Sequence, residues 1–250
     1  MEITGNAAVV TGAASGLGAA TAAALAKRGA TVLGLDLPAS IERAAATLGV
    51  TLVPADVTAE APVREALAQL GDAPLRMAVS CAGIAPSARI LGRSGPHDLE
   101  LFHTVLKVNL LGTFNVLRLA AEVIARQEPD GNGQRGVVVN TASIAAFEAQ
   151  VGQVAYAASK AGVAGMTVTA ARDLAQYGIR VVTIAPGIVD TPMMAGLTDE
   201  IRAGLSASVP FPHRLAQPDE FARLVTMVVE HDYLNGETIR MDGALRMLPR

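Results

Sequence analysis

Residues 7–36, AAVVTGAASGLGAATAAALAKRGATVLGLD, decide the fold. An apolar run (7–11) enters a glycine loop, an alanine-rich stretch follows, and a second apolar run closes on Asp36. That order predicts strand, tight turn, helix and strand. The apolar runs do not alternate with polar residues, so each strand is expected to be buried on both faces, as in a parallel sheet whose strands are joined by crossover helices.

The pattern repeats along the chain. Strands are expected at TLVPAD (51–56), RMAVSCAG (76–83), GVVVNTAS (136–143), IRVVTIAPG (179–187) and ETIRMDG (237–243). Helical patterns fill the intervals, the longest near 99–126 and 153–176. No linker, repeat or low-complexity tract divides the chain. The expectation is one α/β domain over residues 1–250, a doubly wound Rossmann-type fold with a parallel seven-stranded sheet and helices on both faces.

Composition narrows the function. Hydrophobic residues make up 51% of the 250 residues and charged residues 17%, which suits a compact core. A net charge of -3 offers no footprint for nucleic acid or an anionic membrane. The one cysteine, Cys81, allows no internal disulfide, and the four histidines show no ligand spacing, so no metal is expected. The first residues lack a signal-peptide pattern and no apolar run suits a membrane span, so a soluble cytoplasmic protein is expected.

In TGAASGLG (11–18), glycines 12, 16 and 18 let the backbone turn tightly and approach a pyrophosphate at a helix N-terminus. A plain tight turn would use the same glycines, but the place between strand and helix favours a dinucleotide. Asp36 ends the second strand eighteen residues after Gly18, where a carboxylate accepts from an adenosine ribose diol and repels a 2'-phosphate. NAD is therefore expected as the cofactor. Asp56 and the backbone of Val57 are placed for the adenine, and Thr58 for capping the next helix. Cys81, Ala82 and Gly83 lie where small residues let a ribose rest against the backbone, with Cys81 read as a buried spacer.

Tyr156 and Lys160, in YAASK (156–160), sit one helical turn apart in a chain with only three tyrosines and three lysines. Their surroundings are small and apolar, which makes an ammonium costly unless it has a task or runs out to solvent. The task predicted is general acid-base catalysis of alcohol oxidation, with Lys160 and an oxidised nicotinamide lowering the tyrosine pKa. Ser143, thirteen residues before Tyr156, is placed to steady the substrate oxygen, and Asn109 is a polar residue inside an apolar helix.

Together these motifs resemble the short-chain dehydrogenase/reductase family over essentially the whole chain. The resemblance implies a cofactor loop that includes Ser15 and Leu17 beside the glycines, and a catalytic set of Ser143, Tyr156, Lys160 and Asn109, the last supporting a water relay to the lysine. It also implies a nicotinamide lining of Pro186, Gly187, Ile188, Val189 and Thr191 in IAPGIVDTP (184–192). One departure is Ser80-Cys81-Ala82-Gly83, where the family usually has Asn-Asn-Ala-Gly.

Further segments, among them QEPDGNGQRGVVVNTASIAAFEAQVGQVAYAASKAG (127–162) and LNGETIRMDGALRM (234–247), resemble the branch that oxidises 3-hydroxyacyl-CoA thioesters. That likeness implies oxidation of (S)-3-hydroxyacyl-CoA, with steroids or other secondary alcohols as alternative substrates, and a homotetramer. An animal member of the branch also serves in tRNA-processing complexes, so a scaffold role is a further alternative. Residues 190–213, carrying Met193, Met194, Leu197, Leu205 and Phe211, are expected to form an apolar lid or an ordinary surface helix. Arg89, Arg93, Arg202 and Arg214 are candidates for the phosphates of CoA.

Overall fold

The structure, a computed structural model, describes residues 1–93, 95–194 and 196–249. The chain runs β1 (Ala7–Thr11), α1 (Gly16–Lys27), β2 (Thr31–Asp36), α2 (Pro38–Ile41), β3 (Val50–Pro54), α3 (Glu60–Ala68) and β4 (Leu75–Ser80). A small antiparallel ribbon, β5 (Leu91–Gly92) and β6 (Gly95–Pro96), precedes α4 (Leu99–Leu106). A π-helical turn (Lys107–Leu111) then joins α4 to α5 (Gly112–Ile124). After β7 (Gly136–Thr141) come α6 (Val154–Leu174), β8 (Ile179–Pro186), α7 (Asp199–Ser208), α8 (Pro218–Glu230) and β9 (Thr238–Met241).

Seven strands form one parallel sheet in the order β3-β2-β1-β4-β7-β8-β9. The winding therefore reverses between β1 and β4, and a crevice opens at their carboxyl ends. The strands alternate between two cores. Ala8 and Val10 face a cluster with Leu25 of α1 and Phe221 and Val225 of α8. Val9 faces the other, with Val63 of α3, Val116 and Leu119 of α5 and Ala171 of α6. Helices thus cover both faces, and this two-sided burial explains the unbroken apolar runs of the inner strands, while the edge strands β3 and β9 are only partly covered.

Several expectations change in detail. The interval after β2 holds only the four-residue α2 rather than a full crossover helix. The long helix expected near 99–126 runs without a gap over 99–124 but takes a π turn around Asn109, and the β5–β6 ribbon had no sequence signal. The strand expected over 76–83 ends at Ser80, because the Cys81 and Ala82 N–H groups turn to the Thr11 hydroxyl, both at 3.1 Å. No helix among the described residues is long and apolar enough to cross a membrane.

Candidate active site

The loops after β1 and β4 meet in the crevice. Gly12 has φ +67°, and a Cβ there would lie 2.9 Å from the Ala82 nitrogen. Gly18 is pressed harder, since a Cβ would fall 2.1 Å from the Gly12 carbonyl oxygen. Ser15 is the N-cap residue of α1, its hydroxyl makes no capping bond, and no acidic residue occupies the first turn. The positive end of α1, which includes Leu17, is thus open to an anion beside glycine backbone. Both oxygens of Asp36 are fixed by backbone, accepting from Ala14 N–H at 2.9 Å and Leu37 N–H at 2.8 Å. This clamps the glycine loop and holds a negative charge at the strand end.

Beyond β3, Asp56 orders its own turn by accepting from Thr58 N–H at 2.8 Å, while the Val57 carbonyl accepts from Asn115 at 2.8 Å. The N-cap of α3 is Ala59 rather than Thr58, and it makes no side-chain cap. Asn115, buried in α5, was not singled out from sequence, because its partner lies 58 residues away.

The residues beyond β7 and on α6 converge on the same crevice. Ser143 starts a short 3-10 turn (Ile144–Ala146), and its hydroxyl accepts from Ala145 N–H at 3.1 Å. Lys160 does not run out to solvent: it is buried, and its Nζ donates to the Thr141 carbonyl at 2.7 Å, 5.8 Å from the centre of the Tyr156 ring. A Cβ on Gly83 would lie 3.1 Å from Asn109 Oδ1 and 3.7 Å from Lys160 Nζ, so these three residues meet. Asn109 is fully buried in the π turn. Its amide grips both backbone groups of Ile84 at 2.8 Å and reaches Ser159 Oγ at 3.1 Å. The Asn109 carbonyl accepts from the Thr113 hydroxyl at 2.7 Å.

Burial sets the electrostatics. It pulls Lys160 down to about 8 and pushes the Cys81 thiol up to about 11, which suits an inert spacer. Burial also raises Tyr156, with the Ser143 hydroxyl acting in the opposite direction. Burial of the phenol thus outweighs the lowering expected from Lys160. Loss of water around the phenol dominates, and the ammonium is directed at Thr141.

The segment after β8 completes the crevice. Gly187, which follows Pro186, donates to the Met241 carbonyl at 2.9 Å. Val189 pairs with Ala216, which also takes the backbone of Ile188 and Asp190. Thr191 lies against the glycine loop, 3.5 Å from where a Gly16 Cβ would be. In the expected lid, Met193 and Phe211 are 60% and 78% exposed, while the buried anchor is Val209. Of the four arginines, Arg202 is paired with Asp190 at 2.5 Å and Arg214 binds Glu220 through two bonds. Arg89 instead lines a cavity of about 470 Å³ with Ile90, Leu91, Val151 and Val154.

In sheets wound this way, the crevice at the reversal point takes dinucleotides. A phenol fixed beside it can carry the proton that a hydride transfer leaves behind. Fold and site thus define a nicotinamide-dependent oxidoreductase. The chain belongs to the short-chain dehydrogenase/reductase family, as a family model described as enoyl-(acyl carrier protein) reductase matches residues 12–245. It is 52% identical over 255 residues to 3-hydroxyacyl-CoA dehydrogenase type-2 of Bos taurus, covering 99% of this chain and 98% of that protein. Identity to the Drosophila melanogaster protein of the same name is 51% over 248 residues, covering 96% and 97%. A crystal structure of 3-hydroxyacyl-CoA dehydrogenase type-2 from Mycobacterium avium superposes with a TM-score of 0.92 at 43% identity, covering 98% of both chains.

Proposed function

We propose that the protein oxidises (S)-3-hydroxyacyl-CoA to 3-oxoacyl-CoA with NAD as hydride acceptor. The observation that carries this reading is the meeting of Gly83, Asn109 and Lys160 beside Tyr156. The glycine-lined N-terminus of α1 fits a pyrophosphate, and the clamped Asp36 carboxylate fits a ribose diol. Bound there, the nicotinamide supplies the acceptor for the hydride and a positive charge that favours the phenolate.

Tyr156 takes the hydroxyl proton of the substrate. Ser143 steadies the same oxygen by a hydrogen bond. Lys160, fixed by Thr141, offers its remaining donors to the nicotinamide ribose, next to Gly83. Asn109 holds the Ile84 loop against the lysine, and its backbone carbonyl, which accepts from the Thr113 hydroxyl, is the group assigned to a relay water. The cavity beside Arg89 suits an apolar acyl arm with a phosphate at its charged wall, and residues 190–213 serve as the lid. Exposed Leu111 and Phe114 near the start of α5, and Val168 on α6, suit burial between copies in a homotetramer.

NADH-linked reduction of acetoacetyl-CoA tests the substrate class. Loss of that activity, with steroid or other carbonyl substrates still reduced, would move the protein to the alternative branch. Asp36→Ser tests the cofactor. It is expected to weaken NAD by about tenfold to a hundredfold and to narrow the preference over NADP, since a like charge facing a phosphate costs several kcal/mol. Unchanged kcat/KM ratios for the two cofactors would contradict this role.

A further inference from the structure

The tail that follows β9 reaches several walls of the site. The Gly243 carbonyl accepts from Phe211 N–H at 3.3 Å, and a Cβ on Gly243 would fall 2.6 Å from Val209. Leu245 is buried in one cluster with Val209 and Ile144, the residue after Ser143, and Ile188 packs against the same cluster. The Pro249 carbonyl accepts from Val151 N–H at 3.1 Å, in the wall of the Arg89 cavity.

Arg240 ties the tail to the Ser143 turn, with Arg246 as a looser and more exposed second cation, 3.9 Å from Glu148 and 3.2 Å from Asp242. Arg240, in β9, donates from Nε to Asp242 Oδ2 at 2.7 Å. Its Nη2 donates to Glu148 Oε1 at 2.5 Å and to the Leu245 carbonyl at 3.1 Å, and its Nη1 reaches Glu148 Oε2 at 3.3 Å. Its guanidinium lies 5.2 Å from the centre of the Phe147 ring. Glu148 in turn donates its backbone N–H to the Ile144 carbonyl at 3.1 Å, closing the turn that Ser143 begins. An exposed ion pair would contribute little. This one is a two-pronged fork, partly shielded and shared with a second carboxylate, which fixes geometry as well as charge.

We propose that Arg240 is a positioning residue for the reaction, a clasp that sets the Ser143 turn against the tail carrying the foot of the lid. This rests on the reading of the site as a hydroxyacyl-CoA dehydrogenase. With the clasp open, the Ser143 hydroxyl loses its fixed place beside the substrate oxygen and Tyr156, while the cofactor cradle beyond β1 and β2 is untouched.

The test compares wild-type protein with Arg240→Gln, Arg240→Lys, Glu148→Gln and the double variant Arg240→Gln/Glu148→Gln, using acetoacetyl-CoA and NADH. Arg240→Gln is expected to lower kcat by about 10- to 100-fold, as misplacement at a reacting centre does, with NADH affinity held within about threefold. The pH at which Tyr156 changes protonation should rise in the kinetic profile, because the Ser143 hydroxyl no longer opposes the effect of burial. Arg240→Lys should recover only part of the loss, since an ammonium cannot make the fork. The double variant should be no worse than the poorer single one, as for two ends of one tie. Glu148→Gln carries the same test if Arg240→Gln does not fold. Variants with wild-type kcat and pH profile overturn the inference alone, and so does a loss of turnover matched by an equal loss of NADH binding. Wild-type protein that fails to reduce the thioester overturns the dehydrogenase reading and this inference with it.

Discussion

Tyr156→Phe is expected to lower turnover by about 10²- to 10⁴-fold, the span of a lost general acid-base group, while NADH still binds. The substitution removes one oxygen from a side chain that α6 holds in place. Phenylalanine keeps the ring, so the cradle at Gly12 and Gly18 stays as it is. What disappears is the group proposed to take the hydroxyl proton. Because burial raises the Tyr156 pKa, oxidation by wild-type protein should speed up as pH rises, since the base form is the one proposed to act. The variant should lack that rise. Turnover near the wild-type rate with NADH still bound would mean that another group moves the proton.

Lys160→Met is expected to lose about 10²- to 10³-fold in kcat, as when one preorganised donor is removed. The same change should stabilise the protein at neutral pH. Burial lowers the lysine from 10.5 to about 8. Between these values the unfolded chain holds the proton and the folded chain does not, so wild-type stability rises as pH climbs through this window. Below about 8 the folded protein carries a buried ammonium at a cost. Methionine fills similar space without a charge, although the Thr141 carbonyl loses its donor. A net gain of about 1 kcal/mol would raise the thermal midpoint at pH 7 by about 2–4 °C, and the alkaline rise in stability should vanish. A lower midpoint at every pH would show that the lysine is a structural tie first.

The parts of the fold and site that were legible in the sequence are those with local causes. The β1–α1–β2 unit follows from apolar runs and from glycines such as Gly12 and Gly16, whose positive φ demands that residue type. The Tyr156–Lys160 pair follows from helical spacing together with the rarity of both residue types in this chain. Asp36 was legible because it closes a strand at a fixed distance from the loop.

What escaped depends on contacts across the fold. The π turn at Asn109 has no periodic signature, and the grip of Asn109 on Ile84 spans 25 residues. The direction of the Tyr156 shift required knowing that burial outweighs a lysine held toward Thr141. Arg202 and Arg214 are candidates for the CoA phosphates in the sequence, and only the fold brings Asp190 and Glu220 beside them. Arg240 carried no motif at all, because its partners lie in a turn 92 residues earlier and in the tail.

In the proposed reaction a hydride leaves C3 of a hydroxyacyl thioester for a nicotinamide in this crevice. Oxidation of 3-hydroxybutyryl-CoA carrying deuterium at C3, followed by mass analysis of the cofactor, tests it directly. One deuterium is expected in each reduced NAD for each 3-oxoacyl-CoA formed. Product formed without deuterium in the cofactor, or NAD left oxidised while the thioester is consumed, would contradict it.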